Sequence, residues 1–302
     1  MGFRDWISKT RSDIADEGIR RGTRYSLHQL WWGVLRQTSP LFSDGVNIFE
    51  KEWDVLILLD GCRTDALREV SGDYRFLSNS GVHRSTGSSS SEWINTSFIS
   101  EYEDELEKTI YVTANQHANA LDEEQFLNFD PVYRYGWDPE LGTTPPDIVT
   151  NRSIELARKY SGEYQRMILH YMQPHFPSIP DPINHGTKTS KAWDQLWSTN
   201  IGKERLWMSY IANLKYVLNS VEILLENLDA ELVVISSDHG NAMGEWLVYD
   251  HPQGLPISCL RDVPWYKTTA NDLKKLEPDV QVPDRITDTG DLEKQLEALG
   301  YK

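Results

Sequence analysis

The chain has 302 residues and a net charge of −16, an acid surplus that excludes a nucleic-acid partner, because a phosphate backbone would be repelled. No window holds the ~20 apolar residues of a membrane span, and the start of the chain lacks both a signal-peptide apolar core and, with Trp6 where Ser or Thr is required, the myristoylation pattern. Cys62 and Cys259 are too few for a disulfide framework and sit in no metal-knuckle spacing. A cytoplasmic protein is therefore expected. Surplus acid also suits a surface solvated in concentrated salt, so a halophilic source fits the composition.

Residues 3–36 carry Trp6, Ile7, Ile14, Ile19, Leu27, Leu30, Trp31 and Leu35 at helical spacing. Residues 27–36 are aromatic, and Arg20, Arg21, Arg24 and Arg36 lie in or near them. Two readings stand: an interfacial helix making peripheral contact with a membrane, or an N-terminal arm packed on the body. Residues 1–50 are taken as this helical arm and 51–302 as one α/β domain, since no low-complexity linker divides them. Val55–Leu59 is an uninterrupted apolar run, as in a strand buried on both faces, and it ends in Asp60-Gly61. Thr64–Val70 should be a helix with Thr64 and Asp65 in its first turn. Arg63, beside Asp60, is placed either to orient that carboxylate, to meet an anionic substrate, or simply to face solvent.

Ser85–Ile94 is a serine-rich loop running into a helical pattern, where backbone N–H groups favour an anion. Thr109–Thr113 reads as a strand, Asp122–Phe126 as helical, and Asp147–Lys159 as a further helix; His117 is read as structural. Arg166–Met172 is another strand, with His170 inside it as a core histidine, and it leads to Gln173-Pro174-His175-Phe176-Pro177. The Pro- and Trp-containing stretch 178–207 is read as a surface insertion. Leu232–Ile235 repeats the buried-strand pattern and breaks into Ser236-Ser237-Asp238-His239-Gly240. Ligands of open α/β sheets sit beyond the carboxyl ends of strands. There, Asp238 and His239 offer a hard oxygen and a borderline nitrogen that suit a divalent metal.

The pairing of the segment Leu58–Leu67 with the late Ser236–Glu245 resembles the alkaline phosphatase superfamily, in particular its sulfatase-like and lipoteichoic-acid-synthase-like branches. Tyr210–Val217 resembles that family's penultimate helix, and Gln295–Tyr301 the end of many sulfatase-like chains. The match spans roughly residues 53–302 and is dense at the motifs. It implies an α/β sandwich with a central, mainly parallel sheet flanked by helices. It also implies one divalent ion (Mn, Mg, Ca or Zn) held by Asp60, Ser90, Asp238 and His239. A second ion is not expected, because the Asp-x-x-x-His set of two-metal members is absent.

Aligned on the sulfatase pattern, Ser90 takes the nucleophile's place; aligned on the Ser-Glu-aromatic feature of the synthases, Ser88 does. His175, in a Pro-His-x-Pro-like element, would contact the leaving-group oxygen and serve as a general acid. His251, Arg63 and Ser88 would face substrate. No Cys-x-Pro-Ser-Arg pattern for formylglycine is present, which favours phosphoryl chemistry by a serine over ordinary sulfatase chemistry. The resulting expectation is a metal-dependent hydrolase of phosphate or sulfate esters, acting on a small-molecule, glycan or lipid ester. The alternatives are a phosphotransferase modifying surface glycans or lipids, and a non-catalytic binding protein, which would predict a damaged metal set where Asp60, Asp238 and His239 all stand.

Overall fold

Val55–Leu59 (β1) is buried at all five positions, because it runs between two parallel neighbours and under helices on both faces. The computed structural model describes residues 19–183, 201–283 and 292–299. In chain order the further strands are Val82–Arg84 (β2), Thr109–Thr113 (β3), Asn128–Asp130 (β4), Arg166–Tyr171 (β5), Ala230–Ser236 (β6), Ala242–Met243 (β7), Tyr249–Asp250 (β8), Asp262–Pro264 (β9) and Tyr266–Ala270 (β10). A six-stranded sheet takes the order β10-β6-β1-β5-β3-β4. Its pairings are parallel except at the edge, where β10 runs antiparallel to β6. The expected mainly parallel α/β architecture is what the chain forms.

Alternation along the strands sorts their side chains into two cores. Leu56, Leu58, Tyr111, Ile168 and Val234 pack with Trp93 and Ile94 of the helix Ser90–Ser97. On the other face Val55, Ile57, Leu59, Met167, Leu169, Val233 and Ile235 pack with the helices Thr64–Val70, Pro146–Lys159 and Lys203–Leu225. Lys203–Leu225 turns Leu206, Tyr210, Leu214, Val217, Leu218 and Val221 into that core, at the i, i+3, i+4 and i+7 spacing of an amphipathic helix. It also begins inside the stretch expected to be a surface insertion, of which residues 184–200 lie outside the described residues.

Asp122–Phe126, expected to be helical, makes only the short turn Glu123–Gln125, capped by the Asp122 carboxylate on the Glu124 N–H at 3.1 Å. The chain must reach β4 at Asn128, and Phe126 is claimed by an aromatic cluster with Phe98 and Tyr111.

The helix Ile19–Gln37 (α1) covers the later part of the predicted N-terminal helix; residues 3–18 of that prediction lie outside the described residues. Leu35 is buried with Val248, Leu255, Ile257 and Leu260. Trp31 Nε1 donates to Trp246 O at 2.7 Å, and Arg36 Nε to Gln253 O at 2.8 Å. α1 is thus fastened to the segments that follow β7 and β8.

His83 in β2 is buried against Trp265, ring centroids 4.7 Å apart, and its Nε2 meets no hydrogen-bond partner among the described residues. Burial, reinforced by Lys51, pushes its pKa down to about 4, below the ~6.5 of an unfolded histidine. The folded chain therefore binds fewer protons than the unfolded one. Stability from this site is complete above about pH 6.5 and is lost as the pH falls through about 4. Urea midpoints measured across that window should decline on acidification, and His83→Phe should make the decline shallower.

Candidate metal centre and active site

Three adjacent parallel strands, β6, β1 and β5, end at the same level, since Leu58 pairs with both Ser236 and His170. The residues just beyond or at those ends are Asp60, His170 and Asp238. Their ligand atoms lie within 4.8 Å of one another, and all three residues are fully buried.

Each carboxylate has one oxygen pinned and the other left aimed inward. Asp238 Oδ1 accepts from the backbone N–H of His239 at 2.9 Å and of Gly61 at 3.2 Å. Asp60 Oδ2 accepts from Asn115 Nδ2 at 2.7 Å, with Ser90 Oγ at 3.4 Å. Asp60 Oδ1, Asp238 Oδ2 and His170 Nε2 make no hydrogen bond among the described residues. Leaving such groups buried and unpaired is costly in a folded chain, unless a cation completes them.

The fourth donor is His239. Its Nδ1 lies 2.8 Å from the Gly240 carbonyl, which can only accept, so Nδ1 carries the proton and Nε2 presents its lone pair. That Nε2 stands 3.5 Å from Asp60 Oδ1, 3.4 Å from Asp238 Oδ2 and 3.1 Å from Ser90 Oγ. A second-sphere carbonyl fixing the tautomer in this way is usual for metal-binding imidazoles. Two carboxylate oxygens, imidazole nitrogen and a hydroxyl form a donor set suited to Zn, Mn or Mg, so the residues present fit a divalent ion.

The charges agree with this. Burial, and then the neighbouring Asp238, holds the Asp60 carboxyl well above its ordinary range. For Asp238 burial acts in the same direction, but positive charge at the His239 and His170 positions, which a bound cation would supply instead, outweighs it and keeps its pKa low.

Ser90 reaches the cluster because it is the first residue of its helix. Ser89 caps that helix, its Oγ accepting from Glu92 N. Gly61 permits the tight approach on the other side: its φ is +65°, and a Cβ there would stand 2.9 Å from the Asn241 side chain. The Tyr210 hydroxyl, from the helix Lys203–Leu225, holds the same turn by donating to Gly61 O at 2.7 Å and accepting from Arg63 N at 3.0 Å.

Of the residues expected at the site, the structure brings together Asp60, Ser90, Asp238 and His239, with His251 and His175 beside them. The His251 ring lies 4.5 Å from that of His239, and His251 Nε2 is 3.0 Å from His175 Nε2. His175 Nδ1 donates to its neighbour's carbonyl, Phe176 O, at 2.6 Å, so its Nε2 accepts and His251 supplies the proton between the rings. Burial and the adjacent imidazoles push both rings down in pKa, His175 to about 4.

Two expected residues stand elsewhere. Ser88 is a staple, its Oγ bonded to Glu92 Oε2 at 2.8 Å and accepting from Leu255 N at 3.2 Å. The Arg63 guanidinium is taken up within the protein, by Asp65 (2.7 and 2.8 Å), Glu245 (2.9 Å) and Asn241 O (2.6 Å). It ties the turn after β1 to the loop after β6.

His170 is no inert core residue. Its Nδ1 lies 3.0 Å from the Tyr111 hydroxyl, and its Nε2 3.6 Å from Asp238 Oδ2. It is the penultimate residue of β5, in register with Leu58, two residues before Asp60. Its Nε2 faces the same space as the two open carboxylate oxygens, and losing a group that supports a metal site typically costs about 10–100-fold in affinity. His170→Gln should weaken Mn or Zn binding by about that factor in competition titrations against a chelator, with the fold intact by circular dichroism.

No protein-family model matches the sequence, and no curated protein matches it. Solved structures are similar to it. An integral membrane protein, lipooligosaccharide phosphoethanolamine transferase A from Neisseria meningitidis, aligns at TM-score 0.51 and 13% identity, over 90% of this chain and 59% of that one. The soluble domain of the same enzyme from Neisseria meningitidis aligns at TM-score 0.47 and 14% identity, over 72% of this chain and 77% of that one. A protein in the alkaline phosphatase superfamily from Vibrio parahaemolyticus aligns at TM-score 0.41 and 10% identity, over 81% of this chain and 69% of that one. At such identities the likeness is one of fold, and the alignment above 0.5 is the one that bears it.

Proposed function

We propose that this chain, which has the alkaline-phosphatase-superfamily fold, cleaves a phosphoester through a covalent intermediate on Ser90 with a divalent ion at Asp60, Asp238 and His239. The observation that supports this most is the placement of Ser90 Oγ at a helix N-terminus, 3.1 Å from His239 Nε2, between two carboxylates that each keep one unpaired oxygen. When bound, the ion would lower the cost of ionising the serine and polarise the ester's oxygens. A cysteine does not occupy the position, so phosphoryl chemistry is favoured over sulfate-ester chemistry.

Ser90 Oγ loses its proton to solvent and attacks phosphorus, the P–O bond to the leaving group breaks with the departing oxygen protonated from solvent, and phosphoserine forms. The helix N-terminus offers the phosphoryl oxygens backbone N–H groups and the positive end of its dipole. Asn115 and the Gly61 and His239 amides hold the carboxylates still while charge shifts, which is where most of the rate in phosphoryl transfer comes from. The His251–His175 pair, neutral at pH 7, lies where the departing or incoming oxygen would pass, His251 Nε2 bearing the proton. A second nucleophilic attack, by water, then releases phosphate and restores the hydroxyl.

A second reading is transfer of the phosphoryl group to an acceptor alcohol in place of water. The similar Neisseria enzyme is a phosphoethanolamine transferase, and an integral membrane protein, so a cytoplasmic location draws no support from it.

The test is acid quenching of the metal-loaded protein with p-nitrophenyl phosphate, a phosphodiester and p-nitrophenyl sulfate in turn. A phosphoryl mass increment on the peptide holding Ser90 is expected with a phosphate substrate. Metal-dependent turnover of the sulfate alone would replace the reading with a serine sulfatase. Added glycerol that diverts product from free phosphate to glycerol phosphate would identify the transferase.

A further inference from the structure

Among the described residues, α1 leaves one of its faces exposed. At 100° per residue, Ile19, Leu27, Leu30 and Val34 fall within an arc of about 80°, and all four are exposed. Leu35, on another side, is the residue that anchors the helix to the body. Just beside it, Trp246 and Leu247 are each 66% exposed and both take left-handed backbone, φ 55° and 58°. Large side chains rarely adopt that conformation without a compensating reason. Here α1 itself fixes the turn, since Trp31 Nε1 donates to Trp246 O at 2.7 Å and His28 Nδ1 to Leu247 O at 2.9 Å. Leu41 and Phe42, after the helix, extend the exposed apolar set.

Charge identifies what would cover this face. α1 contains Arg20, Arg21, Arg24 and Arg36 and no carboxylate, in a chain whose net charge is −16. A basic, apolar-striped helix flanked by tryptophan is the composition that lies in a membrane interface. Among the described residues no helix is long and apolar enough to cross a membrane. We propose that α1 and the Trp246–Leu247 turn form a docking face for an anionic lipid bilayer, with α1 lying along the interface. The acidic body is repelled by the same surface, which orients the chain with α1 downward. His251, four positions after Leu247, belongs to the same fastened loop, so docking would set the site at a constant height above the lipid. This inference stands apart from the proposed chemistry, because it needs no turnover.

Flotation of the full chain with vesicles of phosphatidylcholine, with and without phosphatidylglycerol, tests it. Binding is expected to the phosphatidylglycerol vesicles and should weaken as salt rises from about 0.05 M to about 0.5 M. The triple variant Leu27→Glu, Leu30→Glu, Val34→Glu should lose about 10-fold or more in retention at an unchanged thermal midpoint. Trp246→Ser with Leu247→Ser should do likewise and serves as the check if the triple variant does not fold. A wild-type chain that stays with the soluble fraction overturns the proposal, as does a triple variant that floats as well as wild type. A dimer in sedimentation velocity that the triple variant dissolves, without vesicle binding, would assign the face to a second copy instead.

Discussion

Asp238→Asn is expected to remove the divalent ion and, with it, at least about 1,000-fold of kcat/KM, since an ion in such a site supplies several kcal/mol to the transition state. Asparagine keeps the side-chain oxygen that accepts from Gly61 N and His239 N, so the turn should keep its shape. What disappears is the negative charge of the oxygen aimed at His239 and His170. Metal analysis of the purified variant, set beside wild type stripped with a chelator and reloaded, separates ion loss from misfolding. Equal ion content and equal activity in the variant would remove Asp238 from the centre, and the proposed chemistry with it.

Ser90→Ala should have the opposite signature: ion retained, turnover lost. Deleting a serine nucleophile whose neighbours act as a unit costs on the order of 10,000-fold or more in kcat. Asp60, Asp238 and His239 remain, so metal content should change little. No phosphoryl adduct should appear after acid quench. Ser88→Ala is the control. Ser88 Oγ joins Glu92 to the backbone at Leu255, so its loss should loosen that loop and raise KM far more than it lowers kcat. A reversal of the two phenotypes would move the nucleophile to Ser88.

The strand ends were legible because an unbroken apolar run followed by an acid has few other uses in a parallel sheet. β1 with Asp60 and β6 with Asp238–His239 both announce themselves that way. Ser90 was legible from the serine run opening a helix, although only the cap at Ser89 distinguishes it from Ser88. His170 was not, because a histidine between Leu169 and Tyr171 looks the same whether its ring nitrogen meets a hydroxyl or an ion site. Its meaning depends on register with β1, which is set by pairing across the sheet. Arg63 was misplaced for a related reason: proximity to Asp60 in the chain says nothing of Glu245 and Asn241, brought up by the loop after β6. Asn115, which steadies Asp60, lies beyond a strand whose end carried no acid to mark it.

The donors of the candidate centre come from strand ends and one helix start distant along the chain, with Ser90 and His239 separated by 149 positions. Other strands intervene along the chain between β1 and its neighbours β5 and β6, and these parallel joins require crossovers. Long-range closures of this type are slow relative to local helix formation. Ion uptake should thus be absent from any species in which β6 has not yet docked on β1. During renaturation, a metal-binding dye would report completion of the sheet's centre rather than collapse of the chain.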